Sequence, residues 1–222
     1  MTSSELLPKS EDVRLACAFI PDAEKRAEIL ALFAFLETLR DIPERTTDAL
    51  MGEIRLRWWY EAIEEIEQGR PVRYHPLTEA LKAMMARYNL PPAVFHDQIE
   101  GQMPLLDKGA LTIKDALGVV DRGEGNLFKL AATILGEEAA LTDVARLYGM
   151  TQIKATRGLS DAGDMEFTHL KREAAKAAKG LPTALMPLAL PSSLATAYWQ
   201  GGKPGPLTKR FRLLWSYVTG RI

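Results

Sequence analysis

Cysteine is nearly missing from this sequence: Cys17 is the single one in 222 residues. One thiol excludes an internal disulfide framework, suits a reducing compartment, and reads as a small buried apolar residue. Histidine is scarce too, and His75, His96 and His169 stand at no spacing at which a second histidine or a cysteine would share a metal. Charge of one sign is absent, with 28 Lys plus Arg against 29 Asp plus Glu, so no overall field draws the chain to nucleic acid or to an anionic membrane. Any such contact has to be local, and no nucleic-acid partner is expected. Long apolar runs are lacking as well. The stretch ILALFAFL at 29–36 is well short of the roughly 18 to 20 residues that cross a bilayer. The opening MTSSELLPKSEDVR carries Glu5, Glu11 and Asp12 and has neither the cationic start nor the apolar middle of a secretory signal. It is expected to be a short loose lead-in, and the protein to be cytoplasmic or peripheral. No alternating β-branched run is bounded by hairpin turns, so a sheet is not expected.

What is present is helical period almost throughout. After Pro21, Ile29, Leu32, Phe33, Leu36 and Leu39 recur at spacings of three and four, and Pro43 is expected to end the run. Met51, Ile54, Trp58, Ala62 and Ile66 repeat the stripe, with Gly69 and Pro71 as the stop. Trp58 on that stripe is expected in the core, with Arg55 and Arg57 on the opposite, solvated face. Further helices are expected from Pro76 to Asn89, from Pro92 to about Met103, from the Thr112/Asp115 capping box to Gly136, from Thr142 or Asp143 through Leu159, and from Asp164 to Gly180. Short connections and no repeat leave one all-α bundle over 1–200. The stretch GGKPGPL at 201–207 links it to a terminal basic helix, so 201–222 is a separable element.

The order of EKRAEILALFAF, EIRLRWWYEAI, EQGRPVRYHPLTEAL, NLPPAVFHDQIEGQM and GEGNLFKLAATILG resembles the squalene/phytoene synthase family. The resemblance implies a single helical bundle of the isoprenoid synthase type. In active members it implies two aspartate clusters that hold magnesium against the diphosphates of two prenyl substrates, because a leaving diphosphate needs hard cations on carboxylate oxygens. Laid on the family's first cluster, Arg40 takes the first aspartate position, Asp41 and Glu44 the next acidic ones, and Glu37 a position that is arginine in active members. On the second cluster Gln152 aligns, but Ala155, Leu159 and Gly163 replace its key residues. Asp161 and Asp164 are reached only by a two-residue shift, which turns a helical side chain by about 200°; they read as loop residues or a helix cap. Phe128 stands where the family tends to keep a small residue lining the prenyl cavity. If the chain is active, the resemblance implies magnesium on Asp41, Glu44, Asp161 and Asp164, with Arg40, Gln152 and Arg157 on the substrate. The departures imply instead a non-catalytic protein with no cofactor, similar to the branch that contains an assembly factor of respiratory complex I. That protein would act in binding or assembly and still offer its apolar cavity to a prenyl or lipid-like ligand. The alternative is a magnesium-dependent prenyltransferase of the squalene/phytoene synthase type.

In the terminal helix Phe211, Leu214, Trp215 and Val218 can line one side, while Lys209, Arg210, Arg212 and Arg221 decorate the rest. An amphipathic helix ordinarily turns its apolar side to its own core, and that is the first expectation. The second is a helix that docks a protein partner or lies on an anionic membrane, which would place the chain at the inner membrane face.

Overall fold

The computed structural model describes residues 5–161 and 163–222, and these are helical with no strand among them. A short helix α1 (Glu11–Cys17) leads into the long α2 (Ala23–Arg45), followed by α3 (Ala49–Glu67), α4 (Pro76–Tyr88) and α5 (Pro92–Glu100). A 3₁₀ turn at Met103–Leu106 precedes α6 (Ile113–Val120), a π-turn at Asp121–Gly125 and α7 (Asn126–Leu135). Then come α8 (Thr142–Arg157), α9 (Asp164–Ala178), the short α10 (Met186–Ala189) and α11 (Ala195–Trp199), and α12 (Pro206–Thr219). The local chemistry accounts for most boundaries. Asp22, Asp48 and Thr112 each accept from amides of the turn they open. His75 caps α4, accepting from the Leu77 amide at 3.1 Å. Asn89 and Gly136 close α4 and α7 in the left-handed conformation.

The core is organised on α2. Six consecutive residues, Ala31 to Leu36, are buried, so this helix has no solvent face at its middle and must be surrounded. It packs against α7, α4, α1 and α3. Three local expectations are corrected. Pro43 does not end α2, which continues to Arg45. Proline forfeits one backbone bond inside a helix, and in the last turn, with few residues left to follow, the helix absorbs it. The inward stripe of α3 is Gly52, Leu56, Trp59 and Ile63; Met51 and Ile54 are exposed and Trp58 is half-buried. Both stripes satisfy a spacing of three and four, and packing chooses between them: a Cβ on Gly52 would stand 2.2 Å from Leu106 Cδ2, so only the glycine face lets the 3₁₀ turn in. The lead-in is not loose from Glu11 onward, where α1 buries Val13, Ala16 and Cys17; its first four residues lie outside the described ones.

The terminal helix is seated on α1 and on the 3₁₀ segment Leu190–Leu194 by a face that sequence reading does not favour. Leu213 and Ser216 are buried, and the Tyr217 ring packs at a tilt against Phe19 with centroids 4.5 Å apart. Phe211, Leu214, Trp215 and Val218 point outward instead. The first expectation for this helix is therefore overturned, since the larger apolar set is the one in solvent.

Candidate functional site

A cavity of about 480 Å³ lies between α1, α2, the π-turn and α8, with Tyr198 of α11 and Lys209 of α12 at its edge. Arg40, Asp41, Glu44 and Gln152 all line it, so the first cluster and one residue of the second come together as the alignment implies. Asp161 and Asp164 do not reach it. The Asp161 carboxylate accepts from the Ile113 amide at 3.1 Å and caps α6 from another segment. Asp164 accepts from the Trp199 indole at 2.8 Å, and Phe167 stacks on that ring at 4.3 Å. Arg157 is also elsewhere: its guanidinium donates to the carbonyls of Leu105 at 2.8 Å and of Asp107, clamping the 3₁₀ turn. These are corrections to the implied site. Gly158 breaks the helix after Arg157 in a left-handed φ of 74°, so no further acidic turn follows on α8.

The centre of the cavity is an ion pair. Arg40 Nη2 donates to Glu124 Oε2 at 2.5 Å, and Nη1 lies 2.5 Å from Oε1. Glu124 is fully buried, and its carboxyl is pushed above its ordinary value by that burial while Arg40 pulls it partly back. The π-turn and a glycine admit it. A Cβ on Gly149 would come within 2.9 Å of Glu124 Cδ and within 2.5 Å of Val120 Cγ1, so α8 can approach the turn only with no side chain there. Behind the pair, Phe33, Phe128 and Tyr148 pack with centroids 6.1 to 6.3 Å apart. Phe128 thus fills interior space that a small residue would leave open. Burial, with Glu124 adding to it, pushes the Tyr148 hydroxyl far up.

The mouth is closed by the chain itself. Glu37 accepts from the Lys9 and Ser10 amides at 2.5 and 3.2 Å, drawing the lead-in across α2. Lys9 also meets Asp41, which Arg45 flanks at 3.2 Å. On the other side Lys209 Nζ stands 2.9 Å from Asp12 and 3.1 Å from Glu11, and Tyr198 donates to Asp12. Hydrogen bonding to Asp12 raises Lys209, while burial and then Asp12 push Tyr198 up to about 12. Glu124, Tyr148, Asp12 and Tyr198 escape sequence reading, and Lys209 is read there as a solvent residue. The one available signal was Arg40 itself, a cation on the most buried helix, which requires an acid partner without saying which of 29 it is.

Magnesium does not fit this donor set. Among the described residues no group of three or more His, Cys, Asp or Glu could hold a metal ion. The cavity carboxylates other than Glu44 are engaged by an arginine, a lysine, a tyrosine or backbone amides.

A helical bundle with an inner polar cavity between facing helices, one of them bearing part of an acidic motif, is the architecture of an isoprenoid-synthase-like protein. A model of the squalene/phytoene synthase family matches residues 7–155, and the chain belongs to that family. It is also similar to the human and the bovine "NADH dehydrogenase (ubiquinone) complex I, assembly factor 6", 26% identical over 133 residues in each case. The match covers 60% of this chain and 40% of each relative, so the chain spans well under half of their length.

Proposed function

We propose that this chain is a non-catalytic member of the squalene/phytoene synthase family that serves the assembly of a respiratory complex by binding proteins beside a membrane. The observation that carries the reading is the Arg40–Glu124 pair: the residue that aligns with the family's first aspartate is a guanidinium, and a buried carboxylate of this chain is its counter-ion. The names of the two relatives support the assembly part, and the packed Phe33, Phe128 and Tyr148 argue against a long prenyl chain in the interior. In this reading neither magnesium nor a prenyl ligand is required. No helix among the described residues is long and apolar enough to cross a membrane, so contact with the inner membrane face would be peripheral.

Two measurements test it. Purified protein given farnesyl or geranylgeranyl diphosphate and magnesium should release no diphosphate and show no thermal shift. Release that is abolished by Asp41→Ala would restore the prenyltransferase reading, since Asp41 and Glu44 do line the cavity. Cells lacking the protein should lose assembled NADH dehydrogenase on native gels and recover it with an Asp41→Ala chain. Unchanged complex in the deleted cells would overturn the assembly role.

A further inference from the structure

The outward face of α12 combines two features that are uncommon together on an exposed helix. Leu207, Phe211, Leu214, Trp215 and Val218 are 79, 68, 51, 56 and 72% exposed. At 3.6 residues per turn they fall within an arc of about 100°, with Arg210 at one margin and Arg212 at the other, and Arg221 follows the left-handed Gly220 that caps the helix. Phe211 and Trp215 lie nearly parallel, with centroids 6.3 Å apart. From 200 to 222 the sequence contains no Asp or Glu. Lys209 alone among the cations there is in an ion pair among the described residues, and it is turned inward to Glu11 and Asp12. Lys203, Arg210, Arg212 and Arg221 are exposed.

We infer that this face is a docking surface for an anionic lipid bilayer, on which α12 lies in the plane of the headgroups. The arrangement of charge selects the occupant. Arginines bordering both edges of an apolar arc can extend their stems along it and set their guanidiniums on phosphates to either side, while the arc sinks into the acyl boundary. A protein groove would take the apolar stripe but would have to supply acids along two separate edges. A second copy of this face would set arginine against arginine. Tryptophan suits the boundary depth, with an apolar ring and a polar N–H. Because the inner face of α12 is held by Leu213, Ser216 and Lys209, the outer face is presented with no unfolding. The surface rests on the peripheral placement proposed above for its biological setting, whereas its physical basis is α12 alone.

The test is flotation of the full chain with vesicles of phosphatidylcholine and with vesicles of phosphatidylcholine and phosphatidylglycerol in equal parts. Binding should occur only to the anionic vesicles, weaken with added salt, and fall at least about tenfold in Arg210→Glu/Arg212→Glu and in Phe211→Ser/Trp215→Ser. These positions are exposed, so both variants should keep the wild-type circular dichroism and melting temperature. On anionic vesicles the fluorescence difference between wild type and Trp215→Phe should shift to the blue. Absence of flotation at low salt would overturn the inference, as would binding that neither double variant alters. Self-association that Phe211→Ser/Trp215→Ser abolishes, without vesicle binding, would do the same and assign the face to contacts between copies. Failure on vesicles would leave the assembly reading to the native-gel measurement, which does not depend on it.

Discussion

The inner cavity and the outer face of α12 handle the same two costs in opposite ways. A buried charge is tolerable only when paired, and an exposed apolar surface is tolerable only until something covers it. In the cavity the charges that matter are met inside the chain: Glu124 by Arg40, Asp41 by Lys9 and Arg45, Asp12 by Lys209 and Tyr198. On α12 five large apolar residues and two arginines, Arg210 and Arg212, are left to the outside. Lys209 and Arg210 are neighbours in sequence on one helix, yet one completes the interior and the other is exposed. The two regions thus differ in where their partners come from: the cavity charges are met by groups of this chain, and the α12 face is left to solvent. A second surface makes the same point. An open groove of about 830 Å³ beside α3 is lined by Leu50, Ile54, Trp58 and Met103.

Breaking the interior half of this contrast should have the largest effect. Arg40→Met leaves the Glu124 carboxyl buried without its counter-ion, and should lower stability to urea by about 3–5 kcal/mol. Arg40→Met/Glu124→Leu removes both charges and should recover most of that loss, which would make the pair a specific filling of the site with little net contribution of its own. If the single variant is as stable as wild type, Glu124 does not depend on Arg40 as its counter-ion. Next in size is Gly149→Ala. The new methyl meets Val120 and Glu124 at distances no ordinary packing allows, and the expected loss is about 1–3 kcal/mol in the same measurement.

How much of this was legible follows from the kind of signal each part leaves. The burial of one face of α2 was readable because Ile29, Leu32, Phe33, Leu36 and Leu39 share one helical period, whereas the burial of Ala31, Ala34 and Phe35 off that stripe was not. On α3 two stripes competed, and the choice of Trp59 over Trp58 depended on Leu106, 54 positions away from Gly52 in sequence and visible only after folding. Arg40, Asp41, Glu44 and Gln152 converge because they sit on regular helices that the family pattern fixes in register. Asp161 and Asp164 do not, because the left-handed Gly158 ends α8 before them and each carboxylate accepts from a donor on another segment, Ile113 or Trp199. Glu124 left no pattern, since a single acid in a π-turn has no periodicity to betray it. For α12 the period was right and the side was not, because periodicity groups residues onto a face without saying which way it turns.

Smaller effects should follow from the residues that join the two regions. Lys209→Met removes the cation between Asp12 and Glu11, leaving Asp12 with Tyr198 alone. The expected cost is about 1–2 kcal/mol, appearing as faster hydrogen exchange of α12 amides while α2 stays protected. Equal exchange in both helices would mean that α12 is held by Leu213 and Tyr217 and not by the ion pair.

The smallest effect is one of pH, at Glu37. Burial raises its carboxyl above the ordinary value of 4.5, and the Lys9 and Ser10 amides pull it partly back. An acid raised in the folded state binds its proton more tightly there than in the unfolded chain. Its contribution is therefore present below the ordinary carboxylate value and is lost as pH rises through the folded one. Glu124 acts in the same direction. Glu65, held down at about 2 by Arg73, titrates below this window and does not oppose it. Between about pH 4.5 and neutrality, wild-type stability to urea should thus carry a downward component that Glu37→Gln lacks. The glutamine oxygen can accept from the Lys9 amide while its NH2 cannot accept from Ser10, so a constant offset between the two proteins is expected and the titration of Glu37 is read from the slope alone. A parallel profile in the two proteins would mean that Glu37 is solvated, and that the lead-in does not close the mouth of the cavity.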